Sequence, residues 1–338
     1  MATQRIEYID AMRGFTMILV VYSHICRYCL GDWTMGWNDV FFLFRLPCFF
    51  FISGWLFGIS QKNRPPVRTV IKHKFMVQIV PTVIFLLLLA PPPEFFMRLR
   101  TTKGGYWFTF ALFEFFLIFL FSERYLKKWS GALALLISAS AFFYDVYFNL
   151  YFKDMGLLAD ILGFVSYATW RYYLFFYIGT WVKCHFNEFL RWTGKPAITM
   201  AVVAGFVLIA CHPRFENTVL SYIIFAVGGI LGITMIFSAF RSLYSNTRLL
   251  PLSSCLSPLK YIGTRTLDIY LLHYFVLPRF LLLHKEQLLI CDSRIWEFLV
   301  AMVLALFVIA ICLLASYIIR LSPFLGHYLF GVKYEWRK

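Results

Sequence analysis

The sequence predicts an all-α fold, a polytopic bundle of about ten transmembrane helices with both termini cytoplasmic, running through residues 1–338 as a single domain. Three observations support this. Hydrophobic residues make up 61% of the chain and charged residues only 14%, whereas a soluble domain carries about a quarter charged residues and under half apolar ones. A soluble core of this size cannot hide so much apolar surface, which excludes a soluble enzyme, a disordered chain and a disulfide scaffold. Second, apolar runs of about 20 residues, the length that crosses a hydrocarbon core, recur along the whole sequence. Third, the basic residues fall unevenly between alternate connecting segments.

Taken in order, the runs lie at roughly 9–30, 39–60, 72–90, 106–122, 130–150, 167–184, 196–212, 218–240, 264–283 and 295–320. Short segments join them, with no room for an extramembrane domain. With the amino terminus inside, 20 of the 32 Lys and Arg fall on the inner side and nine on the outer; Arg13, Arg45 and Arg171 remain within spans. That bias predicts both termini inside. The densest inner segment is 62–74. A net charge of +15 and a pI near 9.5 are therefore read as membrane topology rather than nucleic-acid binding, and the excess suits a polyanionic cytoplasmic substrate.

Ionisable residues inside a membrane need a partner, a wet cavity or a function. Arg13 and His24 stand eleven residues apart in the first run, which returns them to within about 20° of one helix face and separates them by about 16 Å. Arg13 is read either as snorkelling to inner headgroups or as part of that stripe. His24 is either a hydrogen-bonded structural histidine or an acid–base group. Counting residues inward from the outer boundary places His24 at about 8 Å, Arg45 at about 9 Å, Arg171 at roughly 5 Å and Glu114 at about 12 Å. Four ionisable side chains from four helices thus share one level. This is read either as interhelical ion pairing or as a polar cavity opening outward, with His24 its acid–base group. His273 falls about 12 Å above the inner boundary, where it either hydrogen-bonds a neighbouring helix or serves a site. Ser53-Gly54 is read first as a close helix contact. The eight cysteines are scattered; Cys26 and Cys29 form a single C-x-x-C without the second pair a structural zinc site needs, so no metal is expected.

The run YIDAMRGFTMILVVYSHI resembles the first span of the acyltransferase family 3 integral membrane proteins, with Asp10, Arg13, Gly14 and His24 in its Asp-x-x-Arg-Gly and Arg-ten-His pattern. FRLPCFFFISGWLF (Pro47, Ser53, Gly54) resembles the second-span motif, and YWFTFALF (Trp107, Phe108) the fourth-span aromatic motif. FFYIG (Phe176, Gly179) is similar to the sixth-span pattern, and LKYIGTRTLDIYLLH (Tyr270, His273) to the late-span one. The five landmarks occur in order over nearly the whole chain. Many relatives carry Arg-x-x-Arg before the third span; here Lys74 stands for the first Arg and Val77 or Gln78 occupies the second position, where a neutral side chain cannot clamp a phosphate bidentately.

The resemblance implies an integral membrane O-acyltransferase without a fused esterase-like domain, placed in a bacterial inner membrane. It takes an acyl group, often acetyl, from cytoplasmic acyl-CoA to a hydroxyl of a glycan or lipid-linked sugar outside. It implies that His24 is the essential histidine, as base or transient acyl carrier, and that Arg13, with the lead-in Asp10, positions the CoA end. Arg45, Glu114 and Arg171 join this catalytic set from their shared depth, any one of them orienting His24 or stabilising the oxyanion. The donor-binding set joins Arg64, Arg68 and Lys72, read from the basic density of 62–74, with Lys74, Trp107 and His273, which stand in the motifs of the resemblance. The lipid bilayer, acyl-CoA and the acceptor are the expected partners, with no nucleic acid. A transporter or flippase, or a non-catalytic partner of polysaccharide export, is the alternative; a transporter calls for internal repeats and broken spans, and the sequence displays neither.

Overall fold

The computed structural model describes residues 6–58, 66–90, 94–100, 103–147, 156–211, 218–245, 256–291 and 293–332, and these form helices with no strand. Arg64, expected among the donor contacts, lies outside the described residues. Six helices are long and apolar enough to cross a membrane: Glu7–Tyr28, Asn38–Phe57, Val67–Leu89, Lys127–Tyr147, Thr218–Tyr244 and Arg294–Arg320. Two further pairs qualify together but are bent, Phe186–Thr193 with Pro196–Cys211 by 81° and Thr266–Val276 with Arg279–Leu288 by 55°. Length and composition thus give six to eight candidate spans among the described residues.

The other two apolar stretches are helical but less regular. Trp107–Tyr125 contains Glu114, Glu123 and Arg124, which lowers its apolar character. The stretch from 167 begins as a 3-10 turn, Tyr167–Tyr172, and becomes α-helical only over Tyr173–Cys184. The two bends correct the expectation of unbroken spans, and both have local causes. Gly194 and Lys195 separate Thr193 from Pro196, a helix stop followed by a proline start. Leu277 turns extended (ψ 121°) ahead of Pro278, as a residue preceding proline tends to do.

The chain divides into two compact units. The first comprises Met1–Ile52, Asn187–Pro213 and Phe225–Ile318, and the second Ser53–Phe186, Arg214–Ile224 and Ile319–Lys338. In the first unit the helix Glu7–Tyr28 is the innermost: 83% of its apolar window is buried, against 28% for Arg294–Arg320. It packs on Ser257–Thr264 through glycine. A Cβ on Gly14 would stand 1.9 Å from the Leu259 carbonyl oxygen, and one on Gly263 1.9 Å from that of Asp10. Only glycine permits this approach, the small-residue contact common between membrane helices. Lys260 also donates to Glu7 at 2.8 Å. Elsewhere in the unit Leu19, Phe44 and Phe206 form a core cluster; Gly232 leaves space for Phe44, whose Cβ lies 2.4 Å from where a Cβ on Gly232 would sit.

The second unit has an aromatic core. A Cβ on Gly54 would lie 2.0 Å from the Phe176 carbonyl oxygen, so Ser53-Gly54 makes the close helix contact its residues suggest. Phe57 and Phe176 both pack on Phe116, with ring centroids 4.5 and 5.3 Å away. The helix Val67–Leu89 contains a π turn at Phe75–Ile79.

Candidate active site

The first unit brings two histidines into direct contact. His24 lies near the carboxyl end of Glu7–Tyr28, half-buried, and its Nδ1 is 2.7 Å from Nε2 of His273. The rings are nearly parallel at 19°, with centroids 4.9 Å apart. His273 is fully buried, at 0% exposure, and its Nδ1 lies 3.1 Å from the carbonyl oxygen of Ile269. Depth counting from sequence places these histidines at different levels. In the structure Arg265 leaves helical geometry (ψ 17°) and Leu277-Pro278 ends the helix that carries His273, so 264–283 is not one straight span.

Aromatic and cationic groups surround the pair. The rings of Tyr28 and Tyr274 lie 5.7 and 5.2 Å from that of His24. Arg27 stands over Tyr28 and Trp33, at 5.2 and 4.4 Å, and Arg279 over Tyr28 at 5.9 Å. Arg45, only 4% exposed, donates from Nη1 to Asn38 Oδ1 at 2.5 Å, while Asn38 Nδ2 donates to the Trp33 carbonyl at 2.6 Å. Sequence reasoning missed Tyr28, Tyr274, Asn38 and Arg279. Tyr28 is one turn beyond His24 and Tyr274 adjoins His273, but neither signal means anything until the two helices are known to meet.

At the other end of the stripe, Arg13 is half-buried and Asp10 buried, on the same unbroken helix as His24. Cys26 and Cys29 are buried free thiols. Among the described residues no group of three or more His, Cys, Asp or Glu is placed to hold a metal.

The remaining expected site residues among those described lie in the second unit. Glu114 accepts from Trp170 Nε1 at 2.7 Å. Arg171 forms an ion pair with Asp145. Trp107 stacks on Tyr172 at 6.2 Å. Arg68 and Lys72 are exposed on Val67–Lys74, whereas the ammonium of Lys74 lies 4.3 Å from the ring centre of Phe116. Nearby, Lys103 Nζ donates to the carbonyls of Leu99 and Phe164, at 2.7 and 2.5 Å. Burial pushes this ammonium below its ordinary range, with Glu114 opposing the shift.

The family model described as an acyltransferase domain, that of acyltransferase family 3, matches residues 6–320. The chain belongs to acyltransferase family 3. No curated protein and no solved structure matches it. The matched stretch takes in Asp10, Arg13, His24 and His273, and with the apolar helices it makes this family 3 acyltransferase an integral membrane protein. A half-buried imidazole with a buried hydrogen-bond partner and flanking guanidinium groups can take up a proton and stabilise nearby negative charge. Acyl transfer to a hydroxyl needs both.

Proposed function

We propose that this family 3 member is an acyl-CoA-dependent O-acyltransferase that moves an acetyl group from cytoplasmic acetyl-CoA to a hydroxyl of a glycan or lipid-linked sugar on the outer side of a bacterial inner membrane. In this reading the chain crosses the bilayer ten times with both termini cytoplasmic, and its two units serve as one acyltransferase domain. The observation that carries the proposal is the His24–His273 pair in a family 3 chain. The basic helix with Arg68 and Lys72, together with Arg64, meets the donor's phosphates. The thioester arm follows the Arg13–His24 stripe, with Arg13 and Asp10 at its inner end and Trp107 assisting donor binding. His24 takes the proton of the acceptor hydroxyl as its oxygen attacks the thioester carbonyl, and the C–S bond then breaks. Of the three helpers expected from sequence, Arg45, held by Asn38, is assigned the developing oxyanion; Glu114 and Arg171 pair with Trp170 and Asp145.

The test is mass spectrometry of surface glycans from cells with and without the protein. Acetyl esters present only in producing cells are the expected result, and an unchanged acetyl content contradicts the proposal. The two bent helix pairs favour a second reading, transport of an acylated or sugar-bearing lipid, because broken spans line many transport sites. In that case the sidedness of the lipid changes between the two cell lines while its acetyl content does not.

A further inference from the structure

Two short contacts determine where the protons of the histidine pair reside. His273 Nδ1 lies 3.1 Å from the carbonyl oxygen of Ile269, one turn earlier in the same helix. A carbonyl oxygen only accepts, so Nδ1 carries the hydrogen and the neutral ring keeps its lone pair on Nε2. That lone pair faces His24 Nδ1 at 2.7 Å, which must then be an N–H. Neutral His24 is left with its own lone pair on Nε2. The opposite tautomer of His24 would set two lone pairs against each other at a fully buried nitrogen, where unsatisfied acceptors are costly.

We propose that His273 is a positioning residue: braced by the Ile269 carbonyl, it holds His24 in the Nδ1–H tautomer and makes Nε2 the reacting atom. This rests on the reading of His24 as the group that handles the proton. As the acceptor oxygen bonds to the thioester carbonyl carbon, its proton passes to His24 Nε2. The imidazolium so formed still donates from Nδ1 to neutral His273, which stabilises the charge without taking a second proton. When the tetrahedral intermediate collapses, the C–S bond breaks and the proton on Nε2 goes to the departing thiolate sulfur. The chain of carbonyl, positioning imidazole and reacting imidazole follows the logic by which a third group fixes a catalytic histidine elsewhere.

The direct test is nitrogen-15 NMR of the full chain in nanodiscs with labelled histidine, the His24 signals assigned by their loss in His24→Gln. A protonated Nδ1 and an unprotonated Nε2 are expected; a proton on Nε2 overturns the proposal. Kinetics give a second reading, as CoA release from acetyl-CoA in membranes of producing cells. His273→Leu is expected to lower kcat by about 10²–10⁴-fold with KM for acetyl-CoA within about twofold. His273→Gln, whose Oε1 can accept from His24 Nδ1–H, is expected to recover about tenfold or more over His273→Leu. Leu and Gln variants of equal kcat would overturn the proposal, as would a Leu variant with wild-type kcat. Retained transfer in His24→Ala would instead sink the underlying reading of His24, and the tautomer measurement stands apart from that outcome.

Discussion

Gly14 and Gly263 meet across the contact between Glu7–Tyr28 and Ser257–Thr264, each without room for a Cβ against the other helix's backbone. The glycine of the Asp-x-x-Arg-Gly motif therefore has a packing reason to be there. It seats the helix that carries Arg13 and His24. Gly14→Ala and Gly263→Ala should each destabilise the protein by about 1–3 kcal/mol or more. Thermal unfolding in detergent checks this, with Gly131→Ala as a control, since a Cβ there meets only the Tyr177 side chain at 3.4 Å. Wild-type stability in both test variants would contradict the packing.

Arg45 is held by Asn38, which is itself anchored to the Trp33 carbonyl. With the oxyanion assigned to Arg45, Arg45→Leu should lower kcat by about 10²–10³-fold. Asn38→Leu should lower it less, because the guanidinium remains and loses only its Asn38 bond. Equal, small effects of both substitutions in a CoA-release assay would remove Arg45 from the chemistry.

Under the proposed function, exposed Arg68 and Lys72 meet the donor's phosphates. The double variant Arg68→Glu/Lys72→Glu should raise KM for acetyl-CoA about tenfold or more while kcat changes little, since remote phosphate contacts serve binding. The effect should shrink as salt is added. An unchanged KM at low salt argues that the donor enters elsewhere.

Lys103 provides a pH-dependent stability term. Its folded-state pKa is depressed by burial, so between that value and the unfolded value of about 10.4 the unfolded chain binds more protons and stability rises with pH. Relative to Lys103→Met, the wild type should gain stability as pH rises through the alkaline range below about 10.4. Denaturant unfolding of both proteins across that range checks the sign; a wild type that loses ground as pH rises contradicts it.

Much of this arrangement was legible in the sequence. The apolar runs locate the helices because burial in lipid demands length and hydrophobicity, and the Arg13–His24 spacing survives because Glu7–Tyr28 is one continuous helix. Ser53-Gly54 reads correctly as a close helix contact, whereas the packing of Gly14 on Leu259 emerges only from the structure. The His24–His273 contact was not legible, because height along separate runs does not show which helices meet. Depth alone also failed to show that Glu114 and Arg171 have their own partners, Trp170 and Asp145, because axial height carries no information about which helices are neighbours.

The most direct measurement is transfer of labelled acetyl from acetyl-CoA to surface glycan in cells producing wild type or His24→Ala at equal membrane abundance. The mechanism predicts labelled glycan in the first and background label in the second. Equal labelling in both would contradict His24 as the reacting group.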